Sequence, residues 1–132
     1  MKRQLHKSNV SVHGLRVFVV EDESVIAMQL EDMLLDVGCE VVGPAMRFKA
    51  AQTLVEEDLD VGVAILDVNL GDRTVFPIAE RLRAFEIPIV FATGYGRDGV
   101  PSEWTVYPIL QKPYTARQIE DAILTIVGAQ AD

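Results

Sequence analysis

Short runs rich in β-branched residues alternate with stretches of helical periodicity along most of this chain, and this alternation restricts its fold more than any other feature. The predicted strands are residues 16–20, 40–42, 63–66, 88–91 and 107–110. Strands that alternate with helices build βαβ units, in which parallel strands form one sheet and the helices cover its faces. The third run is apolar throughout, which is typical of a central strand covered on both sides. The sequence therefore predicts an α/β fold.

Between the strands, apolar residues recur at the spacing of amphipathic helices. Gly38 ends the first helix, Pro77 lies near the start of the third, and Thr115 forms a capping box with Gln118 at the start of the last. The glycine-rich segment 95–105 shows no helical stripe, which indicates at most a short or mobile helix. The residues expected to face the sheet are Ile26, Leu30, Met33, Leu34 and Val37, then Phe48, Ala51, Leu54 and Val55, then Ala79, Leu82 and Phe85, and finally Ile119, Ala122, Ile123 and Ile126.

The length of 132 residues, of which 49% are apolar, suits a single domain with one core. We expect residues 1–14 to be a flexible lead-in, 15–128 to form the domain and 129–132 to be a tail. A single cysteine, Cys39, and the lack of a long apolar run or a signal-peptide pattern indicate a cytoplasmic protein without a membrane anchor. The net charge of -8 argues against contact with nucleic acid.

Polar residues follow four of the five predicted strands. Glu21 and Asp22 come after the first strand, Asp67 after the third, Thr93 after the fourth and Lys112 after the fifth. In an open parallel sheet the carboxyl ends of the strands meet at one edge, which is where ligands bind. We therefore expect these five side chains to lie together.

Three neighbouring carboxylates repel one another, and a divalent cation relieves this repulsion. Oxygen-only ligands that leave room for water and phosphoryl oxygens suit Mg²⁺. We expect Asp22 and Asp67 to be direct ligands, a backbone carbonyl near Asn69 to be a third, and Glu21 to act through water. The sequence thus predicts a magnesium site.

Asp67 is the predicted nucleophile, because a carboxylate can attack a phosphoryl group to form an acyl phosphate. Lys112 can pair with one phosphoryl oxygen, and the hydroxyl of Thr93 can donate to another. Taken singly, these side chains are also common as helix caps, turn hydroxyls or surface charges. The prediction therefore depends on their joint occurrence at strand ends.

Four motifs at these strand ends carry a family resemblance: VVEDE at 19–23, LDVNLGD at 66–72, FATG at 91–94 and QKPY at 111–114. With them, the chain resembles a response-regulator receiver domain of the CheY-like superfamily from about residue 15 to 127. The resemblance implies a flavodoxin-like, doubly wound (βα)5 fold with a five-stranded parallel sheet, strand order 2-1-3-4-5 and five surrounding helices. It also implies phosphorylation by a sensor histidine kinase, hydrolysis assisted by the protein itself without other enzymatic activity, and a cis peptide bond at Lys112-Pro113.

One position departs from the usual receiver pattern. Receivers usually carry an aromatic switch residue three positions before the lysine, and here that position is Ile109. The FATG run, followed by Tyr95, is similar to a subgroup of single-domain receivers that lack this aromatic residue. Tyr95 is therefore a candidate replacement switch, and the alternative is an aromatic ring half-packed on a loop surface. Ordering of the segment after Tyr95 is a further way to carry the signal.

No DNA-binding or catalytic output domain follows Asp132 in this sequence. We therefore expect a stand-alone regulator, monomeric or weakly dimeric, that binds a downstream protein or passes phosphate to a histidine phosphotransfer protein or back to the kinase. Neither a membrane nor nucleic acid is an expected partner.

Three other functions fit parts of the pattern. A phosphohydrolase with an aspartyl nucleophile usually needs a second aspartate two residues later, where this chain has Asn69. A flavodoxin-like nucleotide or flavin module needs a glycine-rich phosphate loop after the first strand, where this chain is acidic. A phosphate-independent receiver-like scaffold is the main alternative, and the complete set of polar residues argues against it.

Overall fold

The structure is a computed structural model that describes residues 11–131. Five parallel strands form one sheet in the order β2-β1-β3-β4-β5, which confirms the predicted fold class and strand order. The strands are β1 (Arg16–Val20), β2 (Glu40–Ala45), β3 (Val63–Asp67), β4 (Ile89–Thr93) and β5 (Ile109–Gln111). The helices are α1 (Ser24–Asp36), α2 (Phe48–Glu56), α3 (Phe76–Ala84) and α4 (Ala116–Ala131).

The sheet separates two apolar layers, and β3 and β4 are buried along their whole length. Side chains alternate along a strand, so neighbouring residues of β1 enter different layers. Phe18 packs into the layer under α2 and α3, whereas Val17 and Val19 pack into the layer under α1 and α4. This double coverage explains why β3 contains no polar residue before Asp67.

The first described residues already pack on the domain. Val12 is buried in the layer under α1 and α4, and the Gly14 N–H donates to the Gly38 carbonyl at 2.7 Å. The predicted lead-in therefore does not extend to residue 14, because the side chain of Val12 is buried in the core. Residues 1–10 of that lead-in and Asp132 lie outside the described residues.

Strand β2 is longer than predicted. The sequence predicts its end at residue 42, before the Gly43-Pro44 pair, but it continues to Ala45, with a register irregularity opposite Phe18 to Val20. Gly43 has a φ of 101°, and a Cβ there would lie 2.9 Å from the Val19 carbonyl oxygen. Glycine is therefore required here for a close approach of two backbones within the sheet.

The loop predicted after Asp67 contains a small antiparallel hairpin. Residues Asn69–Leu70 pair with Arg73–Thr74, and we call residues 69–74 the 69–74 hairpin. Leu70 is buried, which a purely polar loop would not require.

The described residues contain four α-helices, so the five helices implied by the resemblance are not present. Between β4 and β5 the chain forms only two short 3₁₀ helices, Gly96–Gly99 and Ser102–Trp104, in agreement with the prediction of at most a short helix. Trp104 is almost completely buried and lies 5.7 Å from Phe91 and from Tyr107, measured between ring centroids. Packed aromatic rings therefore cover the face that a fifth helix would otherwise cover.

Phe85 was expected to face the sheet, and this prediction is wrong. Helix α3 ends at Ala84, and 49% of Phe85 is exposed, with the Arg81 guanidinium 5.0 Å from the centre of its ring. Ile78 takes the buried position instead, together with Ala79 and Leu82. The helix ends one residue too early for Phe85 to complete the apolar face.

Two local predictions at the end of the chain are confirmed. The Thr115 N–H donates to Gln118 Oε1 at 2.8 Å, and the Gln118 N–H donates to Thr115 Oγ1 at 3.1 Å, which is the reciprocal pattern of a capping box. The Lys112-Pro113 peptide bond is cis, as is Gly43-Pro44. Among residues 11–131, no helix is both long and apolar enough to cross a lipid bilayer.

Candidate functional site

The carboxyl ends of four strands deliver the predicted site residues to one edge of the sheet. Glu21 directly follows β1, Asp67 and Thr93 are the last residues of β3 and β4, and Lys112 directly follows β5. The Lys112 N–H donates to the Thr93 carbonyl at 2.9 Å, which extends the β4–β5 ladder into the site. Parallel pairing alone is enough to bring these residues together.

Three carboxylates meet at this edge. Glu21, Asp22 and Asp67 each offer one oxygen, and these oxygens lie within 4.8 Å of one another. Glu21 and Asp67 are buried, whereas Asp22 is half-buried. Such oxygen-only donors, partly open to water, match the ligand preference of Mg²⁺. The residues present therefore fit a magnesium ion.

Lys112 balances part of this negative charge. Its Nζ lies 2.9 Å from Glu21 Oε1, 3.2 Å from Asp67 Oδ1 and 3.7 Å from Glu23 Oε1. Burial by itself lowers the pKa of the Lys112 ammonium, but the hydrogen bond to Glu21 and the charge of Asp67 outweigh it, so the pKa is raised. Lys112 is therefore held as a cation between two buried carboxylates.

Asp67 has the most perturbed carboxyl group of the site. Burial is the main cause, and the charge of Glu21 and contact with Asp22 add to it, so the pKa of Asp67 is raised from 3.8 to about 8 although Lys112 opposes the change. Without a cation, burial and the neighbouring carboxylates therefore favour the protonated form of this carboxyl group. A divalent ion at the carboxylates would favour the ionised form, which is the nucleophilic one.

The 69–74 hairpin contributes two backbone contacts to the carboxylates. The Gly71 N–H donates to Asp22 Oδ2 at 2.9 Å, and the Asn69 N–H approaches Asp67 Oδ1 at 3.4 Å. Asn69 is exposed and lines the cleft beside Asp67, where its backbone carbonyl was expected to act as a ligand.

Thr93 is completely buried beneath the cleft. Its Oγ1 accepts a hydrogen bond from the Tyr95 N–H at 3.1 Å. A Cβ added to Gly99 would lie 3.1 Å from the same oxygen, so the first 3₁₀ helix packs directly on the hydroxyl. Any reorientation of the Thr93 hydroxyl would therefore affect the segment that follows it.

The two switch candidates lie in different surroundings. Tyr95 lines the cleft with 73% of its surface exposed, so its ring is more open than a half-packed surface residue. Ile109 is half-buried and packs against the layer that contains Phe91 and Trp104. Of the two, only Tyr95 has its backbone in contact with Thr93.

An open cleft of about 770 Å³ exposes the acidic edge to solvent. Charged residues from the ends of β1, β3 and β5 line it, together with the hairpin and the residues directly after β4: Asp22, Glu23, Asp67, Asn69, Gly71, Gly94, Tyr95 and Lys112. Asp67 is therefore accessible from outside through this cleft.

Sequence reasoning missed two participants. Glu23 contacts Lys112 from the rim of the cleft, and Gly71 holds Asp22 through its backbone. Glu23 belongs to the acidic run 21–23, which could have indicated its role, although acidic residues at this position are equally well explained by helix capping. For Gly71, with a φ of 65°, the glycine signalled a turn, but its partner 49 positions away could not be read from the pattern.

Comparison with known proteins agrees with this arrangement. The sequence profile of the response regulator receiver domain family matches residues 17–124. The phyllosphere-induced regulator PhyR of Methylorubrum extorquens is 31% identical to this chain over 81 residues, which cover 60% of this chain and 30% of that protein. The chain thus spans less than a third of the length of that relative.

Solved structures have the same fold. The crystal structure of the response regulator PhyR from Brucella abortus has a TM-score of 0.79 at 25% identity and covers 99% of this chain and 54% of its own. A response regulator receiver domain protein from Clostridium thermocellum has a TM-score of 0.75 at 22% identity, over 89% of this chain and 97% of its own. The profile match spans most of the sequence, and this chain therefore belongs to the response regulator receiver domain family.

Proposed function

We propose that this domain accepts a phosphoryl group on Asp67 from a sensor histidine kinase, in a reaction that depends on Mg²⁺. Receiver domains are signalling domains, and the proposed chemistry serves a signal, not the turnover of a metabolite. The observation that supports the proposal best is the contact of Asp67 with Lys112, inside a cluster of three carboxylates at an open cleft.

The transfer exchanges one bond to phosphorus for another. An oxygen of Asp67 forms the new P–O bond while the P–N bond to the donor histidine breaks, and the electron pair returns to the imidazole nitrogen. The product on Asp67 is an acyl phosphate. Because the cleft is open, a histidine on a partner helix can reach the carboxylate.

Asp22, Asp67 and the Asn69 backbone carbonyl would hold the metal ion, with Glu21 acting through water. A bound Mg²⁺ would neutralise the carboxylates and the phosphoryl oxygens. Lys112, now paired with Asp67, would move its ammonium group to a phosphoryl oxygen. The repulsion from Glu21, which adds to the effect of burial in raising the Asp67 pKa, would then be relieved.

Thr93 would transmit the phosphorylation of Asp67 to the protein surface. Its hydroxyl now accepts the Tyr95 N–H, and donating to a phosphoryl oxygen would require it to reorient. Tyr95 and the segment up to residue 105 would then rearrange, and Ile109 would contribute no aromatic switch. The output would be the binding of a downstream protein through this surface in the cytoplasm, or transfer of phosphate to a histidine phosphotransfer protein.

Incubation with a small phosphodonor and Mg²⁺, followed by intact mass measurement, tests the proposal. We expect one phosphoryl adduct that Asp67→Asn abolishes and that chelation of Mg²⁺ prevents. Asp72→Asn is the matched control, because it removes one exposed carboxylate from the neighbouring 69–74 hairpin and should leave the adduct unchanged. If no adduct forms at any Mg²⁺ concentration, the phosphate-independent scaffold becomes the better explanation.

A further inference from the structure

The half-buried Asp22 lies on the short connection between β1 and α1, outside both elements. Its Oδ2 accepts the Gly71 N–H at 2.9 Å, so the tip of the 69–74 hairpin holds this carboxylate. Residues that fix the hairpin therefore also fix the direction in which Asp22 points.

The hairpin is too short to hold its own position. Each of its strands has two residues, and an isolated two-stranded hairpin is marginally stable in water. Leu70 anchors one strand through burial, and the Val75 N–H closes the base by donating to the Val68 carbonyl at 2.9 Å. The opposite strand, Arg73–Thr74, is exposed and needs a separate anchor.

Arg73 supplies that anchor. Its guanidinium carbon lies 3.5 Å from the centre of the Phe48 ring, a short distance for a cation–π contact. Phe48 is itself buried at the start of α2. A continuous set of contacts therefore runs from α2 through Arg73 and Gly71 to Asp22.

We propose that Arg73 is a positioning residue for the metal site, which it supports by packing on Phe48 and so holding the hairpin whose Gly71 N–H orients Asp22. The inference rests on the proposed function, because the orientation of Asp22 matters for the proposed magnesium ion. Removing a group that orients a metal ligand without binding the metal itself typically lowers metal affinity about 10- to 100-fold.

Electrostatics and positioning predict opposite effects of removing Arg73. Loss of a positive charge near an acidic site strengthens the binding of a cation, whereas loss of the anchor weakens it. A weaker Mg²⁺ affinity in Arg73→Ala therefore cannot be explained by charge.

Calorimetric titration of the full chain with Mg²⁺ alone measures the effect. We expect the dissociation constant of Arg73→Ala to rise about fivefold or more and that of Arg73→Lys to rise less, because lysine keeps the charge without the planar group. Arg81→Ala is the matched control: it removes an arginine that also lies over a phenylalanine ring, Phe85, and that pairs with Glu56 of α2. Unchanged or tighter binding in Arg73→Ala would overturn the proposal.

Phe48→Leu tests the ring contact, because it keeps an apolar side chain in the buried position. We expect it to weaken Mg²⁺ binding about as much as Arg73→Ala, and the double variant to be no weaker than either single one. Additive effects of the two substitutions would show that Arg73 does not act through Phe48.

Hydrogen exchange of the Gly71 amide in metal-free protein separates this inference from the proposed function. Exchange should be several-fold faster in Arg73→Ala than in the unmodified chain, and equal rates would refute the anchor. If the unmodified chain binds no Mg²⁺, the magnesium part of the proposed function fails, while the exchange rates still decide whether Arg73 holds the hairpin.

Discussion

On the side of β1 and β3, the site is held by charged and polar contacts, whereas on the side of β4 and β5 it rests on packed aromatic rings. The first side carries the three carboxylates and the 69–74 hairpin, whose Gly71 N–H holds Asp22. Lys112 reaches these carboxylates from the end of β5 and pairs with Glu21 and Asp67. On the second side, β4 ends at Thr93, and the ring of Phe91 in the same strand packs edge-on against Trp104 at 5.7 Å between centroids. The carboxylates lie where a cation fits, and the buried aromatic rings pack around the segment between β4 and β5, which forms only two short 3₁₀ helices. Substitutions on the two sides should therefore have separable effects.

The largest expected effect is on the aromatic side. Trp104→Ala removes a buried ring that contacts Phe91 and has the Arg83 guanidinium 4.2 Å above it, and it should lower the free energy of unfolding by about 3–5 kcal/mol. Urea denaturation measures this, and Val106→Ala, at a residue 82% exposed, should change it by less than about 0.5 kcal/mol. The Mg²⁺ affinity of folded Trp104→Ala should stay unchanged, and a large loss of affinity would show that the two sides are not separable.

On the charged side, Asp67→Asn should stabilise the metal-free protein above about pH 8. The pKa of Asp67 is raised to about 8 in the folded state, so the folded protein binds this proton more tightly than the unfolded chain does. The free energy of unfolding therefore falls as the pH rises from about 4 to about 8. Asparagine does not titrate, so the advantage of the variant should be absent below about pH 4 and grow across this interval. Denaturation at several pH values without Mg²⁺ measures it, and an advantage independent of pH would contradict the assigned cause.

Lys112→Ala separates metal binding from phosphoryl transfer. Removal of a positive charge should leave Mg²⁺ affinity equal or tighter, while the rate of phosphorylation falls about tenfold or more. Calorimetry and the time course of the phosphoryl adduct give the two quantities. An equal loss in both would show that Lys112 supports the metal site and does not contact the phosphoryl group.

The smallest expected change in stability is at Tyr95, where Tyr95→Ala should alter the free energy of unfolding by less than about 0.5 kcal/mol because the ring is exposed. The substitution should instead change how the segment after Thr93 responds to a phosphoryl group on Asp67. Amides 95–103 should gain hydrogen-exchange protection when a beryllofluoride mimic of the phosphoryl group binds with Mg²⁺, and Tyr95→Ala should reduce this gain. If exchange of these amides in the unmodified chain does not change when the mimic binds, the segment does not transmit the signal.

The sequence by itself determined the sheet, its strand order through the family resemblance, and the residues that gather at its edge. Apolar periodicity reports which face of each element is buried, and a polar residue directly after a buried strand has to lie at the sheet edge. Glu21, Asp67 and Lys112 were predictable for this reason, as was the capping box at Thr115. These features depend on residues that are close in sequence.

Only the tertiary structure decided the contacts between distant segments. The hydrogen bond from Gly71 to Asp22, the stacking of Arg73 on Phe48 and the aromatic packing around Trp104 each join elements far apart in the chain. The true end of β2 and the exposure of Phe85 could not be predicted for the same reason. The close approach of the β1 backbone to Gly43 lies within the extended β2, and the early end of α3 leaves the Phe85 ring exposed. Local patterns encode a preference for burial, but which partner meets a given group depends on how the packed elements fit in three dimensions.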